Sequence, residues 1–99
     1  MNTRQKLALL EESYPNEVEL DQILTKLLDV AKSQQKQTLE RYERELQDFE
    51  RRYGMMSATF YQRFSAGTLG DEMDFFEWAG VFELREYLQE KIEKLENVR

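Results

Sequence analysis

The sequence predicts an all-α protein: one long helix, a short aromatic helix, and a C-terminal helix that folds back along the long one as a helical hairpin or small bundle. Charged residues make up 34% of the 99 residues, and a single proline and four glycines are few for a loop-rich fold. Glu, Lys, Arg, Leu and Gln, all good helix formers, are abundant. Apolar residues also recur at helical spacing over two long stretches.

A chain of 99 residues has room for one domain at most. The sequence Tyr14-Pro15-Asn16 ends any helix before it, because proline disfavours helical backbone at the preceding residue. Residues 6–10 (KLALL) fit either a helical turn or a short strand. We therefore expect residues 1–16 to form a flexible N-terminal arm and residues 17–99 a single helical domain.

The long helix is predicted from about Leu20 to Tyr53. Its second half carries an apolar stripe with spacings of 3 and 4 residues: Leu39, Tyr42, Leu46, Phe49 and Tyr53. Polar residues at 32–38 interrupt the pattern, and Gly54 is a natural left-handed stop. Such a helix is roughly 50 Å long. It should therefore be partly exposed, kinked near Ser33, or packed against a second chain.

The short helix is predicted from Ser57 to Ala66, with Ser57 as its N-cap and Gly67 at its end. Phe60 and Phe64 lie one turn apart and share a face.

The C-terminal helix is predicted to begin near Asp71 or Asp74 and to run to about Glu96. Asp74 followed by Glu77 fits a capping box. Apolar residues cover more than one stripe of this helix, which is typical of a helix that is buried on more than one side.

Residues 70–84 combine large aromatic side chains with carboxylates, and two interpretations stay open. Nine of the 12 aromatic residues fall between Tyr53 and Tyr87. Large aromatics anchor protein cores, and they are also enriched at interface hot spots. In the first interpretation the phenylalanines form a small core with Phe49 and Tyr53. In the second, part of the stretch faces a partner protein, and the candidate partner-binding residues are Asp71, Asp74, Phe75, Phe76, Glu77, Trp78 and Phe82.

Catalysis is not expected from this sequence. No histidine and no cysteine is present, so the usual general base, the thiolate nucleophile and the commonest metal ligands are missing. Asp71, Glu72, Asp74 and Glu77 offer oxygen ligands for Mg²⁺ or Ca²⁺. However, calcium-loop spacing is absent, and acids at a helix N-terminus are accounted for by its dipole. We predict no cofactor and no metal site.

The formal net charge of −6 argues against nucleic-acid binding, which needs a basic footprint, and favours an encounter with a basic protein. No segment has the apolar length of a signal peptide or a membrane span, so a cytoplasmic protein is expected.

Several runs resemble a family of small cyanobacterial and archaeal proteins. They are Leu20 to Leu24, Leu39 to Arg44, Phe49 to Met55 (FERRYGM), Phe60 to Phe64 (FYQRF), Ala66 to Asp71 (AGTLGD) and Asp74 to Gly80 (DFFEWAG). Members of this family look like antitoxins of type II toxin–antitoxin pairs, encoded next to a small toxin gene. The resemblance spans roughly residues 15 to 95.

The resemblance implies a non-enzymatic chain that binds a cognate protein, a small basic toxin, and neutralises it. Many antitoxins also repress their own operon through a DNA-binding segment. This sequence departs from that pattern because no helix-turn-helix with basic recognition residues is evident, and residues 1–16 contain only Arg4 and Lys6 as basic groups. The alternative is a structural homodimeric helical hairpin without a toxin partner, associating through the Leu39 to Tyr53 stripe of the long helix.

Overall fold

The computed structural model describes residues 1–97 and contains four helices. They are α1 (Thr3–Ser13), α2 (Glu17–Tyr53), α3 (Ser57–Ser65) and α4 (Met73–Glu96). The described residues include no strand, which confirms the all-α prediction. None of the helices within residues 1–97 is long and apolar enough to cross a membrane. The chain divides into two compact units, Met1–Ser33 and Gln34–Arg99, and the division falls in the polar interruption of α2.

The first unit contains α1 and the beginning of α2. A capping box starts α1: the Asn2 side chain accepts from the Gln5 backbone N–H (2.8 Å), and the Gln5 side chain accepts from the Asn2 backbone N–H (2.9 Å). The KLALL segment is thus helical and not a strand. Helix α2 begins at Glu17, three residues earlier than predicted, and Asn16 Oδ1 accepts from the backbone N–H of Val18 (2.9 Å).

In the second unit, α4 runs antiparallel to the C-terminal part of α2, so the predicted hairpin is confirmed. Arg52 pairs with Asp74 (2.9 Å) near one end, and Lys36 pairs with Glu96 (2.7 Å) near the other. Gly54 ends α2 with a φ of 63°, in the left-handed conformation that its position after the helix predicts.

The core of this unit is a stack of aromatic rings. Trp78 and Phe60 are both fully buried, and their ring centroids lie 3.8 Å apart at an interplanar angle of 3°. Phe49 stacks against Trp78 at 5.6 Å, and Leu46 and Ala79 complete the buried cluster. Two residues of the Leu39 to Tyr53 stripe, Leu46 and Phe49, are therefore buried within the chain against α3 and α4. Leu39, Tyr42 and Tyr53 of the same stripe are only half-buried, and self-association through this stripe stays a prediction.

A polar chain of contacts runs through the core. The Trp78 Nε1–H donates to Ser57 Oγ (2.9 Å), and the Ser57 hydroxyl donates to Glu50 Oε2 (2.7 Å). The same Glu50 oxygen also accepts from the Ser57 backbone N–H (2.9 Å). Ser57 is thus the first residue of α3 and not its N-cap. The carboxylate of Glu50, reaching from α2, accepts from one of the backbone N–H groups in the first turn that have no partner within the helix.

We expect Ser57→Ala to lower the free energy of unfolding by about 1–3 kcal/mol, because a buried indole N–H loses its acceptor. Urea unfolding followed by the fluorescence of Trp78, the single tryptophan, measures this change. Ser33→Ala is the matched control, since Ser33 is exposed in α2 and alanine favours helix. Equal unfolding midpoints for the two variants would contradict the role assigned to Ser57.

Candidate functional site

The structure separates the seven candidate partner-binding residues into four groups. Trp78 is fully buried, so it lies in the core and not on a surface that a partner can reach. Phe75 and Phe82 are partly buried and pack against the core. The side chains of Phe76, Asp71 and Glu77 are exposed, with Phe76 at 55%, and Asp74 takes part in the ionic cluster described below.

Helix α4 carries a second apolar surface on the side that Trp78 does not occupy. We call it the α4 stripe, and it consists of Met73, Phe76, Gly80, Leu84 and Tyr87. Because successive residues turn by about 100°, these five positions share a sector roughly 80° wide. Phe76, Leu84 and Tyr87 are 55%, 48% and 58% exposed. Within residues 1–97, α4 is therefore covered on one side and open on the other.

An open groove of about 560 Å³ lies beside the α4 stripe, between α2 and α4. Phe49, Val81 and Leu84 give it apolar walls. Gly80 has no side chain to fill the groove, and a Cβ at that position would meet nothing within 4 Å. The remaining lining residues are Glu45, Asp48, Arg52 and Glu77. The groove thus has an apolar interior and a charged rim on which carboxylates outnumber the guanidinium.

More carboxylates flank the α4 stripe along the helix. Glu83 accepts a hydrogen bond from the Tyr61 hydroxyl (2.7 Å), and this bond raises the pKa of Tyr61. The aromatic ring of Tyr61 in turn stacks on Phe82 at 4.7 Å, which ties this acidic position to the packed side of α4. Glu77 and Glu90 flank the same surface on either side, and the Lys91 ammonium lies 4.5 Å from the centroid of the Tyr87 ring. Three carboxylates, those of Glu77, Glu83 and Glu90, therefore face one ammonium along this surface.

Asp74 links the start of α4 to the end of α2. Its Oδ2 accepts from the Tyr53 hydroxyl (2.6 Å) and from Arg52 (2.9 Å). The hydrogen bond from Tyr53, the larger effect, and the one from Arg52 hold the pKa of Asp74 below its ordinary value. The same bond to Asp74 raises the pKa of Tyr53. The predicted Asp74–Glu77 capping box is not formed. The N-cap of α4 is Glu72, which makes no capping side-chain hydrogen bond.

The described acidic residues do not converge on a metal. Among residues 1–97, no group of three or more His, Cys, Asp or Glu side chains has the geometry to hold an ion. Asp74 is instead engaged with Arg52 and Tyr53, as expected for an acid that fixes the geometry of a hairpin. The arrangement on α4 offers an apolar surface with acidic borders, which is suited to binding.

Comparison with known proteins gives no match: no family model fits the chain, and no curated protein or solved structure is significantly similar to it.

Sequence reasoning found Phe76 and Glu77 but missed the remainder of the exposed surface. Met73, Leu84 and Tyr87 were not among the candidates, although they follow Phe76 and Gly80 at spacings of 3 and 4 residues. Counting the apolar residues of α4 as two stripes instead of one broad one would have revealed the pattern.

We expect the stabilising effect of Asp74 to depend on pH. Because its folded-state pKa lies below the ordinary 3.8, its contribution is present above that pH and is lost as the pH falls through the lower folded value. Asp74→Asn should therefore lower the urea midpoint at pH 7, and this difference from the wild type should shrink in strongly acidic buffer. Asp71→Asn is the control at a neighbouring exposed acid. A pH-independent difference for Asp74→Asn would contradict the assignment.

We expect Gly80→Ala to raise the free energy of unfolding by about 0.5–1 kcal/mol, because glycine is unfavourable inside a helix. The new methyl group enters open space, so no packing is lost. Thermal or urea unfolding measures the change. A destabilised Gly80→Ala protein would mean that the groove is closed in solution.

Proposed function

We propose that this chain is a non-enzymatic protein-binding module that acts in the cytoplasm as an antitoxin-like neutraliser of a small basic protein. The single observation that supports this proposal best is the uncovered α4 stripe. Phe76, Leu84 and Tyr87 are each about half exposed on a helix whose opposite side is already packed into the core. An apolar surface of this kind on a small domain is typical of an interaction site.

The dimensions of the α4 stripe suit one secondary-structure element of a partner. From Met73 to Tyr87 the helix rises by roughly 20 Å. That length accommodates about four turns of a helix or a short strand laid along α4. Phe76 and Tyr87 would serve as aromatic anchors, which interfaces favour because large rigid rings bury much area at small entropic cost.

Charge determines which kind of partner fits. The rim carboxylates Glu45 and Glu77 and the flanking Glu83 are exposed, and the whole chain carries a formal net charge of −6. A basic segment with an apolar face would bind the groove with its cations on the rim, and opposite charge would also speed the encounter. A toxin that handles RNA needs a basic surface. Covering that surface would neutralise the toxin without any chemistry by this chain.

The experiment is to co-express the chain with the product of the adjacent reading frame and to measure co-elution and rescue of growth. Leu84→Lys should abolish both, since it places a cation in the apolar surface that the basic partner covers. Gln89→Lys is the matched control, because it makes the same charge gain at an exposed position on another side of α4. We expect Gly80→Gln, which extends a side chain into the groove, to weaken co-elution at least tenfold.

Circular dichroism of each variant separates lost binding from lost folding. A complex that tolerates Leu84→Lys but not Gln89→Lys would refute the α4 stripe as the binding surface. Absence of a complex and of toxicity, with a concentration-dependent mass that Leu84→Lys abolishes, would instead favour the structural homodimer, with the α4 stripe in place of the Leu39 to Tyr53 stripe.

A further inference from the structure

The unit Met1–Ser33 has no core of its own. No residue of α1 is buried, and the two buried residues of α2, Leu46 and Phe49, both lie beyond Ser33. An isolated helix as short as α1 is marginal in water, because nucleation is costly and few hydrogen bonds follow. This unit therefore needs an additional surface to stabilise it.

The apolar residues for such a core are already aligned. Leu7 and Leu10 of α1 line the same 280 Å³ cavity as Leu20 and Leu24 of α2, so the two segments form an antiparallel helical hairpin. The surface continues past that cavity along α2 through Leu27 and Leu28. We call Leu7, Leu24, Leu27 and Leu28 the hairpin face, and their exposed fractions are 49%, 38%, 53% and 38%.

The charges that border the hairpin face are segregated by sign. Successive residues of a helix are rotated by about 100° around its axis. By this measure, five charged residues lie within a quarter turn of the leucine on their own helix, which is Leu7 for α1 and Leu24 for α2. Three acids are near the connection between the helices: Glu11, Glu17 and Asp21. Two bases are at the opposite end of the hairpin: Arg4 and Lys32. The hairpin face thus has an acidic end and a basic end.

We propose that the hairpin face binds the hairpin face of a second copy of this chain in antiparallel orientation, giving a four-helix bundle with two-fold symmetry. A two-fold axis through the middle of the surface brings each acidic end against the partner's basic end. The leucines of both copies then form the missing core between the helices. A uniformly basic partner would meet like charge at Arg4 and Lys32, so the second copy is the better match.

This inference goes beyond the proposed function and concerns a different part of the chain. The α4 stripe and its groove belong to residues of the second unit. A variant of one surface should therefore leave the other intact, and the two proposals can fail separately.

The test begins with the mass of the full-length wild type, measured by sedimentation equilibrium across a concentration series. We expect twice 12.0 kDa at micromolar concentrations and a weaker dimer at high salt, because the charge pairs are exposed. A mass of one chain throughout the series would overturn the proposal.

Charge reversal then tests the orientation. Arg4→Glu with Lys32→Glu makes the basic end acidic, and Glu17→Lys with Asp21→Lys makes the acidic end basic. Each double variant alone should dimerise at least tenfold more weakly than the wild type, and mixing the two should restore a dimer that contains one copy of each. Lys26→Glu is the matched control on the opposite side of α2, and it should leave the mass unchanged. If mixing the two double variants does not restore a dimer, or if Lys26→Glu weakens dimerisation as much as Arg4→Glu with Lys32→Glu does, the antiparallel pairing is wrong.

A variant and a matched control test the contribution of the leucines to dimerisation. Leu28→Glu places a carboxylate on the hairpin face, and Val30→Glu places one at an exposed apolar position of α2 outside it. We expect Leu28→Glu to give the mass of one chain while Trp78 fluorescence stays native, since Trp78 lies in the other unit. If Leu28→Glu still forms a dimer, or if only Val30→Glu abolishes it, the hairpin face is not the dimer interface.

Discussion

The hydrogen bond from Trp78 to Ser57 is the constraint on which the folded second unit depends. An indole without any exposed surface must satisfy its N–H inside the protein, since an unpaired buried donor is costly. Ser57 provides the acceptor at 2.9 Å, and it can do so only if α3 begins where it does. Glu50 fixes that beginning from α2. One polar chain therefore connects the three helices of the unit.

The aromatic stack follows from the same contact. With the indole held by Ser57, Phe60 and Phe49 stack on it at centroid distances of 3.8 Å and 5.6 Å. The nine-residue helix α3 is too short to be stable alone, so its stability comes from this stack and from the Glu50 carboxylate. The small core thus orders the short helix, and the short helix completes the core.

The sequence predicted α2, α3 and α4 well because their signals are local, whereas α1 falls in the segment that was expected to be a flexible arm. Apolar spacing located α2 and α4, and Gly54 marked the end of α2, since only local backbone geometry was needed. The roles of Ser57 and Asp74 were predicted wrongly, because each side chain bonds to a residue that is distant in sequence. Ser57 looked like an N-cap and Asp74 like half of a capping box. Their actual partners lie on other helices, and spacing along the chain does not reveal them.

The candidate site was harder to predict for a related reason. The buried and exposed apolar residues of α4 alternate closely, as Phe75, Phe76 and Trp78 illustrate, and side-chain type does not distinguish them. Trp78 is the most typical interface residue of the stretch, yet it lies in the core, and the less conspicuous Leu84 remains exposed. Only the positions of α2 and α3 decide which side of α4 is packed into the core.

The two uncovered surfaces differ in a way that follows from their charge. The α4 stripe has mainly carboxylates around it, so two copies would repel each other there and a basic partner would be attracted. The hairpin face has both signs, separated by the length of the hairpin, and such a surface complements itself when one copy is reversed. The two proposals therefore assign one surface to a different protein and the other to a second copy, and a single assembly could cover both.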